Sequence, residues 1–127
     1  MIDPKELMLG SLCCFLTGKD NDKLSMPMKV CFLYENEVDL TFDGNEADPW
    51  ICEPVELMPI KIDKAILEKN GWFYKNGYWT KKGPVRLSWH EKDATLIAGY
   101  WTVPAAIEYV HSLQTVLHLL GLPDIEL

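Results

Sequence analysis

The chain lacks most of the features that announce a chemistry. None of its apolar stretches approaches the roughly 18 to 20 residues that a membrane helix requires, because charge, proline or glycine interrupts each of them. Its four cysteines, Cys13, Cys14, Cys31 and Cys52, show no CxxC spacing and have no histidine at ligand distance in sequence, which argues against a zinc ribbon or a thioredoxin-like motif. The eight glycines are dispersed at turns and helix ends, so no glycine loop is available to cradle a phosphate. The usual carriers of a nucleophile, GxSxG or a Cys followed by distant His and Asn, do not appear, so the expectation is a protein that is not an enzyme and holds no cofactor, with a Cys paired to His111 left as the formal alternative. The first residues, Met1-Ile2-Asp3-Pro4-Lys5-Glu6, are acidic and helix-opening rather than basic, and the apolar stretch from Leu7 to Leu16 is short, so no secretory signal is expected. A cytoplasmic location follows as the expectation, with the thiols kept reduced as small core residues. Cys13 and Cys14, if they lie on a strand, point to opposite faces, which predicts one buried and one at the surface.

What is present describes an ordinary acidic domain. A chain of 127 residues, 48% hydrophobic and 24% charged, is long enough to bury a core without staples and reads as one domain. The net charge of −7 is uneven: residues 1–56 hold 12 acids against 4 bases (−8), and residues 57–127 hold 7 against 8 (+1). Duplex nucleic acid is repelled by such a first half, because phosphate neutralisation by Lys and Arg supplies most of that affinity. The shift suggests a subdivision into an acidic β unit over 1–57 and a remainder over 58–127.

Along the chain, Val30, Phe32 and Tyr34, then Val38, Leu40 and Phe42, alternate on either side of Glu35-Asn36-Glu37 and predict a hairpin. Trp50 to Ile62 reads as extended, confined to an edge by Pro54 and Pro59. Asp63 is an N-cap for a helix of about two turns that stops at Asn70-Gly71. Asn76-Gly77 is a strong hairpin signal, pairing Lys75 with Tyr78, Tyr74 with Trp79, Phe73 with Thr80 and Trp72 with Lys81. Trp72, Tyr74 and Trp79 then share the face predicted to be core. Val85, Leu87 and Trp89 form the next strand and Ala94 to Trp101 another, giving a four-strand antiparallel meander. A helix from Pro104 to Leu120 places Ile107, Val110, Leu113, Leu117 and Leu120 on one stripe that covers the meander. The predicted class is α+β: an N-terminal antiparallel β unit, a short helix, and a meander covered by a C-terminal helix.

Two groups of residues are candidates for binding. His111, Gln114 and His118 share a helix face, although two imidazoles two turns apart lie about 10 Å from one another, too far for one metal ion. Lys75, Tyr78, Lys81, Lys82, Arg86 and His90 interleave base and aromatic on the hairpin and its neighbour, a pattern that stacks and neutralises single-stranded nucleic acid. The carboxylates Asp39, Asp43, Glu46 and Asp48 surround Gly44 but place neither the glycine nor a terminal Glu where an EF-hand needs them, so no metal site is predicted.

Three stretches carry a likeness: Lys5-Glu6-Leu7-Met8-Leu9-Gly10-Ser11, then Pro59-Ile60-Lys61-Ile62 running to Gly71-Trp72, and Tyr109-Val110-His111-Ser112-Leu113-Gln114 with the closing Glu126-Leu127. The chain resembles a group of small uncharacterised proteins carried by prophages and mobile elements of gut bacteria. In that group the head reads E-L-R-I-G-N, the middle P-I-x-L-T followed by a short helix and G-F, and the tail Y-V-H-x-L-Q ending in E-L. Met8 and Ser11 replace the arginine and asparagine of the head, and Leu120-Gly121-Leu122-Pro123 replaces the Leu-Thr-Gly of the tail. The resemblance implies a mobile-element setting and carries over no catalytic residue. The expectation is an accessory protein that contacts another protein, with self-association as one form of such contact. Single-strand binding through the face of residues 72–90, and a small enzyme built on His111, are the alternatives.

Overall fold

Alternation of side chains across strands accounts for the first half of the computed structural model, which describes residues 2–18, 20, 23–42, 48–81, 85–90, 93–98, 101–103 and 107–127. Six short strands follow one another: β1 (Leu12–Thr17), β2 (Lys23–Leu24), β3 (Met28–Leu33), β4 (Val38–Thr41), β5 (Trp50–Cys52) and β6 (Leu57–Met58). β1 is antiparallel to β2 and β3 along one edge, with Phe15 exchanging hydrogen bonds with Ser25, and to β6 along the other. β3 pairs with β4 and β4 with β5, while β5 runs through a single 3-10 turn, Pro54–Glu56, into β6. The strands therefore close into a ring. Alternate residues point into it, so Cys13, Phe15, Met28, Val30, Val38, Leu40, Cys52 and Leu57 form one core, joined by Ile2 and Leu7 from the N-terminal segment. The predicted 30s hairpin is present, whereas the predicted extended run 50–62 is broken by that 3-10 turn, with Pro54 in its first position.

The second half is built as a meander. Asp63 caps α1 (Lys64–Lys69) by accepting the Ile66 N–H at 2.8 Å, and Gly71 at φ +83° ends it. Five strands follow, β7 (Phe73–Lys75), β8 (Tyr78–Thr80), β9 (Val85–His90), β10 (Asp93–Ala98) and β11 (Trp101–Val103), in spatial order β11-β10-β9-β8-β7. The Asn76-Gly77 register matches the expectation pair for pair over Phe73–Thr80, Tyr74–Trp79 and Lys75–Tyr78.

Two expectations are corrected here. The meander has five strands rather than four, because Trp101, Thr102 and Val103 pair with Ala98, Ile97 and Leu96. The C-terminal helix, α2 (Val110–Leu119), starts six residues later than predicted, since residues 108–110 are drawn out beside Ile60 to Ile62: Lys61 bridges to Tyr109, and the Val110 N–H donates to the Ile60 carbonyl at 2.8 Å. Pro104 lies outside the described residues. β-Branched and aromatic residues take the sheet when a partner edge is free, whatever the local helix signals.

Leu113, Val116 and Leu117 of α2 pack in a second core with Trp72, Trp79, Leu87, Leu67 and Leu12. The helix thus covers the meander face through Val110, Leu113 and Leu117, whereas Ile107 of the predicted stripe is buried ahead of the helix and Leu120 is exposed. Tyr74 too belongs to the surface, 65% exposed and meeting Trp79 only edge-on, 5.8 Å between ring centres. Leu12 connects the two cores, because β1 sends Cys13 and Phe15 into the ring while Leu12 meets the side on which α2 lies. That two-sided cover explains the failure of the cysteine expectation. Cys13 and Cys14 are both buried, as are Cys31 and Cys52. Burial, reinforced by the neighbouring thiols, pushes Cys13 up to about 12, and burial with nearby Glu56 and Asp39 pushes Cys52 up to about 11. All four thiols are expected to resist a disulfide-exchange reagent such as DTNB in the native protein at pH 8, and to react together, four per chain, once urea unfolds it. A fast-reacting native thiol would contradict this burial.

Candidate functional site

Two polar residues of α2, His111 and Gln114, are spent inside the protein. Gln114 is fully buried: its Oε1 accepts the Leu12 N–H at 2.7 Å, and its Nε2 donates to the Gly10 carbonyl at 3.0 Å and to Asp124 Oδ1 at 3.1 Å. His111, also fully buried, stacks on Tyr109 and donates from Nε2 to Glu6 Oε2 at 3.2 Å, while its Nδ1 has no partner. His118, two turns beyond His111 and near the end of the helix, is exposed. The three therefore do not share a surface, as helical spacing had predicted. The arrangement ties the N-terminal segment to the C-terminal one, and Asn70 extends it by exchanging two hydrogen bonds with the backbone of Glu126.

The hairpin face assembles only in part. Phe73, Thr80 and Arg86 form one cross-strand row, and Lys75 with Tyr78 forms the next. The Arg86 guanidinium lies 5.9 Å from the centre of the Tyr78 ring, so that ring is already covered on one side. Lys75 and Phe73 are exposed and Lys81 is half-buried; Lys82 and the side chain of His90 lie outside the described residues.

The outer wall of the ring carries a surface that the sequence pattern concealed. The register between β3 and β4 shifts between Val30 and Phe32, where Cys31 is the extra residue of a β-bulge. Val30 points inward opposite Leu40, but beyond the bulge Phe32 lies opposite Asp39 and turns outward, with Tyr34 stacked on it at 6.3 Å. Ile51 flanks Asp39 from β5. Phe32 is 41% exposed, Ile51 67%, and Tyr34 is exposed as well, whereas Asp39 between them is only 5% exposed. Its Oδ1 has no hydrogen-bond partner. Glu37, two residues earlier on the same face, has its carboxyl held above the usual range by a hydrogen bond with Asp39, then by burial and by repulsion from the Asp39 carboxylate. Among the described residues no lysine or arginine is paired with either group. Reading Val30, Phe32 and Tyr34 as one inward stripe hid this surface; a single extra residue in an alternating strand has no periodic signature.

A groove of about 680 Å³ lies elsewhere, between Met26, Pro27 and Phe42 on one side and Ile125, Glu126 and Leu127 on the other. No group of three or more His, Cys, Asp or Glu side chains among the described residues could hold a metal ion, and no helix there is long and apolar enough to cross a membrane. The carboxylates Asp43 and Glu46 lie outside the described residues. No protein-family model, curated protein or solved structure matches the chain.

Proposed function

We propose that this protein works by contacting another protein through the outer wall formed by β3, β4 and β5, as an accessory protein of a phage or mobile element. One observation carries the reading: Phe32, Tyr34 and Ile51 are exposed around a buried carboxylate, that of Asp39, one oxygen of which has no hydrogen-bond partner. An exposed aromatic and aliphatic cluster around a polar centre is the composition of a protein-binding hot spot. The partner face is apolar and basic, to match the three side chains and the −8 charge of residues 1–56. Four buried cysteines that form no disulfide with one another suit a reducing compartment, which supports a cytoplasmic site of action.

A second reading is favoured by the row of Phe73, Thr80 and Arg86 with Lys75 beside it, which suits the stacking and charge of single-stranded nucleic acid. Photo-crosslinking separates the two. With p-benzoylphenylalanine at Ile51 in one variant and at Phe73 in another, irradiation in the native host is expected to give a discrete protein adduct from position 51 that resists nuclease. Adducts from position 73 alone, lost on nuclease treatment, would transfer the function to the hairpin face.

A further inference from the structure

We infer that Asp39 and Glu37 form a socket for one cationic side chain, a lysine or an arginine, of the protein partner that covers the β3–β4–β5 wall. The inference rests on the proposed contact surface and names the chemistry at its centre. Asp39 sits in the middle strand of three, nine-tenths buried, with one oxygen, Oδ1, that no donor of the described residues satisfies. A buried acceptor left in this state is costly, and a strand position facing Phe32 and Ile51 would be filled more stably by valine or threonine. The carboxyl of Glu37 leans on the same group and holds its proton more firmly than an isolated glutamate does, as a second carboxyl does when no cation is at hand. One ammonium or guanidinium would satisfy the free oxygen and take the place of the shared proton. Arginine suits the site best, because its planar fork meets two carboxylates and its face lies against stacked rings such as those of Phe32 and Tyr34. Access requires that Phe32 and Ile51 rotate aside, and both side chains are exposed, Ile51 more than Phe32.

The test uses N-acetyl-arginine amide as the probe and N-acetyl-citrulline amide, its neutral isostere, as the control, titrated into the isotopically labelled full chain and followed by NMR. The arginine amide is expected to shift the Phe32, Asp39 and Ile51 amides and the Glu37 side-chain carboxyl with an apparent Kd at least about tenfold lower than the citrulline amide. Asp39→Asn, which keeps the shape and removes the charge, should abolish that difference, and Glu37→Gln should reduce it. Equal responses to the two amides would overturn the socket, as would an arginine response that survives Asp39→Asn. Saturation by one equivalent of calcium chloride would overturn it too, making the pair a metal site. A protein adduct from position 51 without arginine selectivity sinks the socket and leaves the surface; arginine selectivity without an adduct does the reverse.

Discussion

Replacing Gln114 with leucine is expected to cost about 3 kcal/mol of stability and lower the unfolding midpoint by roughly 10 to 15 °C, at about 3 to 5 °C per kcal/mol for a chain of this size. The size follows from what the side chain holds. Its Oε1 satisfies the buried N–H of Leu12, the first residue of the strand shared by both cores, and leucine would leave that donor unpaired. The two bonds from Nε2 also vanish, freeing the Gly10 carbonyl and loosening Asp124, whose neighbour Ile125 is buried in the second core. Gln114→Glu should be worse, because a carboxylate oxygen would face the Gly10 carbonyl and Asp124 Oδ1, both acceptors. His118→Ala, one turn away and exposed, should change stability by less than about 0.5 kcal/mol. Thermal melts by circular dichroism decide the matter: a Gln114→Leu protein melting within a few degrees of the parent would mean that the ends of the chain are held by apolar packing alone.

This network also explains which parts of the fold were legible. Where structure is decided within a few residues, the sequence is readable: Asp63 caps α1, Gly71 ends it, and Asn76-Gly77 sets the hairpin register, all from local chemistry. Where it is decided by partners a hundred residues distant, spacing misleads. Gln114 and His111 look like polar positions on a surface helix, yet their partners are Gly10, Leu12 and Glu6. The late start of α2 has the same origin, in a pairing to Ile60 and Lys61 that helix propensity does not register. The stretches 5–11, 59–72 and 109–114 with the closing Glu126-Leu127 meet at this place, Glu6 and Gly10 on His111 and Gln114, Ile60 on Val110, Asn70 on Glu126. Their residue pattern therefore has a sufficient cause in holding the two ends of the chain together, and the contact surface must be sought elsewhere, among residues that contribute little to folding.

Asp39 is such a residue, and Asp39→Val is expected to stabilise the protein by about 1 to 2 kcal/mol while abolishing partner contact. Valine fits the outward position of a central strand between Phe32 and Ile51 and removes an acceptor that nothing satisfies. The gain should depend on pH, with a sign that the neighbouring group dictates. Glu37 binds its proton more tightly in the folded chain than in the unfolded one. The stability it contributes is therefore complete below the ordinary glutamate range and is lost as pH rises through its raised folded value. Both carboxyls are then charged and repel. Without Asp39 that loss disappears, so the advantage of Asp39→Val over the parent should be smaller at pH 4 than at pH 8. Urea unfolding at the two pH values, with midpoint and slope compared, measures it. A variant less stable than the parent at both would show that the carboxylate is held by the fold for the fold's sake; a more stable variant that no longer yields the crosslinked adduct at position 51 would show a side chain kept at the expense of stability because a partner uses it.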